Sequence, residues 1–545
     1  MMGMKTSDAI IQCLEKEGVD VVFGYPGAAV ISIYESLRQS KIHHVLVRNE
    51  QSSVHYASGY ARETGRVGVC IVTSGPGATN TITGIATAYM DSIPVVVITG
   101  QVDTHLIGTD AFQEADMIGA TQPFTKHNFL LKDANQLPKV LKEAFYIANT
   151  GRKGPVLIDI PKDLQDVDIE LDYGKKVLIK GYNPTIKGHM GQIKRAIQRI
   201  KVSKRPVVYA GGGILSAQAK EELLVFAEKT GIPVINSLMG IGGFPQDHPL
   251  YAGIVGSHGY TYSNEIIGKT DLLITIGARM SNRSTTGFYK LNPEIEFIHI
   301  DIDPAEIGKN RGFTLPIVGD AKIILEALTE KASDMDFTSW LDEIQELKNQ
   351  HRPVRHEVER TGYIHPVDII THLSDEMDVD ACLVADVGQN QIWSALNYQI
   401  RGERRFMTSG GLGTMAYSIP AAIGVKIANP NRQVVCVIGD GGIQMCLGEL
   451  AVMREQNANV KIILINNRKL GLVREIQQDL YGQGNSSAVD LEYQVGFMKI
   501  AEAYSLEGYE VSSLDDFKAS LDKALKSDQP CLIQCHVHPD TRTLP

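Results

Sequence analysis

Val434-Val435-Cys436-Val437-Ile438-Gly439-Asp440-Gly441-Gly442 and, one crossover later, Lys461-Ile462-Ile463-Leu464-Ile465-Asn466-Asn467 decide how this chain folds. Each is a short apolar run stopped by Gly or Asn, the pattern of a strand buried on both faces of a parallel sheet. Between them, Ile443 to Asn457 is patterned as a helix, as a right-handed strand-helix-strand unit requires. Ligands of such sheets lie beyond the carboxyl ends of the strands. Asp440 and Asn467, 27 positions apart, are therefore expected to meet at one site. A carboxylate beside an amide carbonyl is a hard-oxygen pair suited to Mg²⁺, which keeps water and takes other ligands from phosphates. Glycines at 439, 441 and 442 let the backbone approach those phosphates closely.

The same alternation runs outward in both directions. Val19 to Phe23 reads as a strand entering the turn Gly24-Tyr25-Pro26-Gly27, and Val45-Leu46-Val47 leads to Arg48-Asn49-Glu50. Gln51 to Thr64 then reads as a helix closed by Gly65, which places Glu50 at a strand tip. Gly68 to Thr73 delivers the Gly-rich turn Ser74 to Asn80, echoed near the other end by Ser409-Gly410-Gly411-Leu412-Gly413-Thr414-Met415. A third series lies between these halves: Pro206 to Ala210 with Gly211-Gly212-Gly213, Leu272 to Ile276 with Gly277-Ala278-Arg279, and Glu296 to Ile300 with Asp301-Ile302-Asp303. The fold class is α/β, with three doubly wound parallel-sheet domains, the outer two similar. Their expected extents are 1–165, 189–332 and 365–545, separated by polar stretches near 166–188 and 333–364.

Composition narrows the function. At 545 residues, 43% hydrophobic and 21% charged, the chain can bury several cores. No apolar stretch reaches the roughly 20 residues of a membrane span. A net charge of −10 without basic runs argues against a nucleic-acid surface. The seven cysteines, mostly inside apolar runs, read as reduced core residues. Cys531 and Cys535, with His536 and His538, do not match a usual zinc spacing. Lys5, Asp8, Glu15 and Lys16 interrupt any signal-peptide core, so the expected setting is cytoplasmic.

Gly-Asp-Gly, a helix and Asn-Asn at this spacing resemble the thiamine-diphosphate motif, and further stretches extend the likeness. They are Asn49-Glu50-Gln51, Thr73 to Asn80, Gly108 to Asp116, Asp386-Val387-Gly388-Gln389 and Thr408 to Met415. Together the chain resembles the catalytic subunits of the acetohydroxyacid (acetolactate) synthase family. That resemblance implies decarboxylation of pyruvate and ligation of the two-carbon unit to a second 2-oxo acid, pyruvate or 2-oxobutyrate. Another carboligase, a decarboxylase or a pyruvate oxidase is the alternative. Implied cofactors are thiamine diphosphate, Mg²⁺ and a structural FAD between two thiamine-diphosphate-binding domains. Implied partners are a second copy of the chain, as a homodimer or dimer of dimers, and a small regulatory subunit.

The resemblance also assigns residues. Glu50 hydrogen-bonds the pyrimidine, with Pro26 and Gly27 nearby. Asp440, Asn467 and the Lys469 carbonyl hold Mg²⁺. Val387, Gly388, Gln389, Asn390, Gly413, Met415, Gly439, Gly441, Gly442, Gly471 and Leu472 contact the cofactor, with Met415 propping its bent shape. Phe112, Gln113 and Lys162 line the substrate approach. Arg152, Gly211, Gly212, Gly213, His258, Gly259, Gly277, Arg279, Arg283, Asp301, Ile302 and Asp320 fall on flavin positions. Three departures stand out: Met280-Ser281-Asn282-Arg283 lacks two carboxylates common in the family, Asn390 replaces a histidine, and Ile476 replaces a tryptophan associated with 2-oxobutyrate preference.

Overall fold

The computed structural model describes residues 3–174, 176–285, 291–310, 315–351 and 361–543. Three six-stranded sheets account for the alternation seen in the sequence, and every strand pair within them is parallel. In the first sheet, whose strands run from Val21–Tyr25 to Val156–Pro161, the order in space is second, first, third, fourth, sixth, fifth. The third sheet, from Cys382–Ala385 to Cys531–His536, repeats that order. The middle sheet, from Pro206–Ala210 to Leu315–Val318, runs third, second, first, fourth, fifth, sixth, the arrangement of a dinucleotide-binding fold. Each order reverses beside its first strand, opening a crevice at the carboxyl ends there.

Two expectations need correction. The crossover read as one helix is broken into Asp440–Gln444 and Glu449–Glu455, because Gly441, Gly442 and Gly448 weaken it and the first piece starts at Asp440 itself. Part of the polar stretch 333–364 is no linker. Helix Thr338–Gln350 lays Trp340, Ile344 and Leu347 onto the middle core, and the Trp340 indole N–H donates to the Pro206 carbonyl at 3.1 Å. Four apolar residues in thirteen gave too faint a helical stripe to stand out. Residues 352–360 of that stretch, and position 175 of the other, lie outside those described.

The outer domains share one core. Helix Glu50–Thr64 of the first packs against helix Ser418–Ala428 of the third with backbones nearly touching: a Cβ on Gly59 would lie 2.1 Å from the Ala421 carbonyl oxygen, and one on Gly424 2.2 Å from that of Tyr56. Glu63 closes the far end with Arg405 and Arg432 at 3.0 and 2.7 Å. The Asn429 amide, just past the carboxyl end of the second helix, also donates to Glu63 at 3.1 Å, so the carboxyl ends of the two helices meet there.

Asp159, buried in the first sheet, accepts from Thr99 at 2.7 Å and Gln101 at 2.9 Å, yet burial pushes its carboxyl up to about 7. A raised folded value means that the folded state holds the proton more tightly, so stability falls as pH rises from about 4 to about 7. Asp159→Asn should flatten that slope in denaturant titrations repeated across the window.

Candidate active site

In the third domain the crevice lies between strands Cys382–Ala385 and Val434–Gly439. Asp386, fully buried just past the first, accepts from the Val387 and Ala416 backbone N–H groups at 2.9 and 3.0 Å and from the Ser418 N–H and hydroxyl at 3.0 and 2.8 Å. One carboxylate thus locks the Val387-Gly388 turn to the Gly413–Met415 turn. Gly388 and Gly413 both have positive φ, +138° and +78°, which glycine tolerates.

Across the crevice, Asp440 opens its short helix and is buried, and burial pushes its carboxyl up to about 7. A cation there would stabilise the ionised form that the protein alone disfavours. Asn467, at the end of strand Val460–Asn466, donates from its amide nitrogen to Gln389 Oε1 at 2.7 Å, which orients its Oδ1; that oxygen accepts from the Lys469 N–H at 3.2 Å. The Lys469 ammonium pairs with Asp490, leaving its carbonyl as the available oxygen. Among the described residues no three His, Cys, Asp or Glu side chains form a metal cluster, whereas one carboxylate, one amide and a carbonyl suit Mg²⁺ completed by phosphate oxygens.

The glycines keep this space open. A Cβ on Gly441 would lie 2.8 Å from Leu470 and 3.5 Å from Met415 Cε, one on Gly442 2.9 Å from Asp386, and one on Gly471 1.8 Å from Gln389 Oε1. Gln389 itself is spent on structure: besides Asn467 it donates to the Thr541 carbonyl at 2.8 Å and to Glu475. The Asn390 amide stitches the two strand ends, donating to the Asp386 and Val437 carbonyls at 2.8 and 3.2 Å. Leu472 is half-buried in the helix Gly471–Tyr481.

The first domain builds its own crevice. Gly27 packs on Thr73, where a Cβ would come within 2.6 Å, and Pro26 is exposed beside it. Glu50 begins its helix behind the cap Asn49, where the helix dipole favours a carboxylate. Its Oε2 accepts from the Asn80 amide at 2.9 Å, and Oε1 faces Gly77, 3.4 Å from where a Cβ would be. Sequence reasoning passed over Asn80 as a partner, although the turn containing it was in view. Gln113, strained at φ +62°, rests on Gly75, so it reaches this loop. Phe112 is 88% exposed, and Lys162 is exposed at the start of the one-turn helix Lys162–Gln165.

At the middle-domain crevice, Gly213 and Gly277 touch: a Cβ on either would lie 2.5 Å from the other's Cα. A cavity of about 530 Å³ opens there, reaching all three domains and lined by Arg152, Gly212, Gly213, His258, Gly259, Gly277, Arg279, Arg283, Asp301, Ile302 and Asp320. Gly211 alone of the expected flavin positions lies outside the lining, buried against Gly277 and Ala278. Met239 and Asp91 line it too, from segments that no motif marked, and so does Leu412 of the Ser409–Met415 turn. FAD fits these residues. The volume is that of a cofactor pocket. His258 presents a buried Nδ1 with no partner. Burial holds the Arg279 and Arg283 guanidinium groups below the usual arginine range, which a pyrophosphate would relieve. Asp301, pushed up to about 6 by burial, uses one oxygen on the Asp303 N–H, and Asp320 caps a helix through the Lys322 and Ile323 N–H groups. Gly277→Ala, which adds a side chain at φ +56° against Gly213, should release flavin from the purified protein, read from the absorbance of the filtrate after gel filtration.

Three parallel-sheet domains, two of identical strand order and one holding a carboxylate-amide pair at its crevice, define a thiamine-diphosphate enzyme. Profiles described as thiamine pyrophosphate enzyme N-terminal TPP-binding, central and C-terminal TPP-binding domains match residues 4–120, 193–328 and 386–535. The chain is 44% identical to the acetolactate synthase isozyme 3 large subunit of Escherichia coli, over 95% of this chain and 92% of that one. It is 43% identical to the acetolactate synthase large subunits of Haemophilus influenzae, over 96% and 92%, and Corynebacterium glutamicum, over 99% and 88%. The chain belongs to the acetolactate synthase large-subunit family, whose typical cofactors are thiamine diphosphate, Mg²⁺ and FAD.

Proposed function

We propose that the chain decarboxylates pyruvate and joins the two-carbon unit to a second pyruvate, giving 2-acetolactate, or to 2-oxobutyrate, giving 2-aceto-2-hydroxybutyrate. This is the first common step toward valine, leucine and isoleucine. The observation carrying the reading is full-length kinship with acetolactate synthases together with the polar sets at Glu50 and at Asp440 and Asn467. Thiamine diphosphate, when bound, supplies the electron sink for carbon-carbon cleavage. Glu50, with Oε2 anchored by Asn80, exchanges a proton with a pyrimidine nitrogen through Oε1. Asp440, Asn467 and the Lys469 carbonyl hold Mg²⁺, while Gly441, Gly442, Gly388 and Gly413 admit the pyrophosphate. Val387, Gln389, Asn390, Met415, Gly439, Gly471 and Leu472 shape the walls, Gln113 and Phe112 line the approach, and Lys162 attracts the substrate carboxylate. The flavin in the central cavity is structural.

The active unit we propose is a homodimer. Glu50 and the Asp440–Asn467 pair belong to crevices of different domains, and among the described residues no hydrogen bond joins the two sets, which leaves each free to be completed by a second copy. Val473, Ile476, Leu480 and Tyr481 on helix Gly471–Tyr481, and Phe112 of the first domain, offer exposed apolar surface for a second copy. A small regulatory subunit is the further partner, since the relatives are named large subunits. The setting is cytoplasmic; among the described residues no helix is long and apolar enough to cross a membrane.

Purified protein supplied with thiamine diphosphate, Mg²⁺, FAD and pyruvate should release CO₂ and accumulate acetolactate. Oxygen uptake, or free acetaldehyde exceeding acetolactate, would reject this reading in favour of an oxidase or decarboxylase. Mixed 2-oxo acids in the same assay would give the acceptor preference set beside Ile476.

A further inference from the structure

Glu449 lies outside every motif above, yet its side chain is almost wholly buried, at 1% exposure. It opens helix Glu449–Glu455, the piece of the broken crossover that follows the Asp440 segment. Its carboxylate receives donors from the first domain of the same chain. The Arg48 backbone N–H reaches Oε1 and Oε2 at 3.2 and 3.4 Å, the Tyr56 hydroxyl donates to Oε2 at 2.8 Å, and Ser52 adds a side-chain hydrogen bond.

These donors straddle Glu50. Arg48 ends the approach to the corner Arg48-Asn49-Glu50, and Ser52 and Tyr56 lie on the first two turns of the helix that Glu50 begins. The Arg48 side chain is tied to the same helix through Glu455, and Gly448 keeps the two backbones close, a Cβ there lying 3.1 Å from Arg48 Cβ. Burying a carboxylate is costly, and packing alone would be served by a neutral side chain; three donors converging on this one make it a clamp. We infer that Glu449 is a positioning residue for Glu50, fixing the backbone corner that aims the Glu50 carboxylate at the cofactor ring. The inference rests on the Glu50 role proposed above. A 1 Å misplacement of a reacting group costs roughly 10²-fold in rate, so a loosened corner should be visible in proton transfer before it is visible in binding.

The test is hydrogen-deuterium exchange at C2 of the bound cofactor, measured on the full-length protein with Mg²⁺ by acid quench and proton NMR. Cofactor affinity and pyruvate KM are measured alongside. Glu449→Asp, one methylene shorter, should slow exchange and kcat together by at least about tenfold, with affinity and KM within about twofold of wild type. Glu449→Gln keeps the length and one acceptor for the Arg48 N–H, and should stay within about threefold. Wild-type exchange in Glu449→Asp, or a loss that merely tracks lost cofactor binding, would overturn the inference. So would a tenfold loss in a folded, cofactor-saturated Glu449→Gln, which would point to charge instead of geometry; that arm decides the matter even if the aspartate variant does not fold. Glu50→Gln separates the two readings. If it exchanges like wild type, the Glu50 role itself fails; if it is silent while Glu449→Asp is normal, only the Glu449 role fails.

Discussion

Glu50→Gln should leave a folded protein that still binds thiamine diphosphate with Mg²⁺ but has lost acetolactate formation by about 10²- to 10⁴-fold, the usual worth of a placed acid-base group. Glutamine fits the same space and can still accept from Asn80 through its carbonyl, so the 2.9 Å anchor survives. What disappears is the proton that Glu50 exchanges through the oxygen facing Gly77. Because Asp440 and Asn467 belong to a separate domain, Mg²⁺-dependent affinity has no reason to change. Stopped assays of product with parallel cofactor titrations would check it. A variant that keeps the wild-type rate removes Glu50 from the chemistry.

Gly59→Ala should be among the most destabilising single-methyl additions in the chain. In an ordinary helix interior this change gains up to about 1 kcal/mol. Here the new Cβ would sit 2.1 Å from the Ala421 carbonyl oxygen, a rigid backbone atom, so the helices Glu50–Thr64 and Ser418–Ala428 must part. Overpacking of this kind costs about 1 to 3 kcal/mol and here exceeds the helical gain. The core shared by the outer domains would loosen with it. Chemical denaturation should show a lower midpoint, and Gly424→Ala, blocked at 2.2 Å by Tyr56, should behave alike. A stabilised Gly59→Ala would mean that the two helices do not pack as described.

How much of this was legible beforehand depends on how far apart the partners are. Asp440 and Asn467 could be read because each follows its own apolar run and one crossover joins them. Gly213 and Gly277 could be suspected for the same reason, each ending a strand of the middle sheet. Glu449 could not, since its donors at 48, 52 and 56 lie some four hundred positions earlier and nothing local marks it. Asp386 was quoted within a motif, but its grip on the 413–418 turn depends on two loops folding back on one carboxylate. Gln389 shows the same limit. Its place in the motif marked it as a cofactor position, but nothing local showed that its side chain would be bound to Asn467, Glu475 and Thr541. Periodicity also fails where glycines interrupt it, as in the crossover after Asp440, and where a helix carries only a thin apolar stripe, as in Thr338–Gln350.

The central claim is that each cofactor is gripped by Glu50 of one chain and by Asp440 and Asn467 of another, and subunit mixing tests it most directly. Glu50→Gln and Asp440→Asn chains should each be inactive alone. In a mixed dimer one site carries both substitutions and the other carries neither, so random pairing should restore about a quarter of wild-type acetolactate formation. If the two inactive chains exchange subunits freely and the mixture stays inactive, the site does not span two chains and the account is wrong.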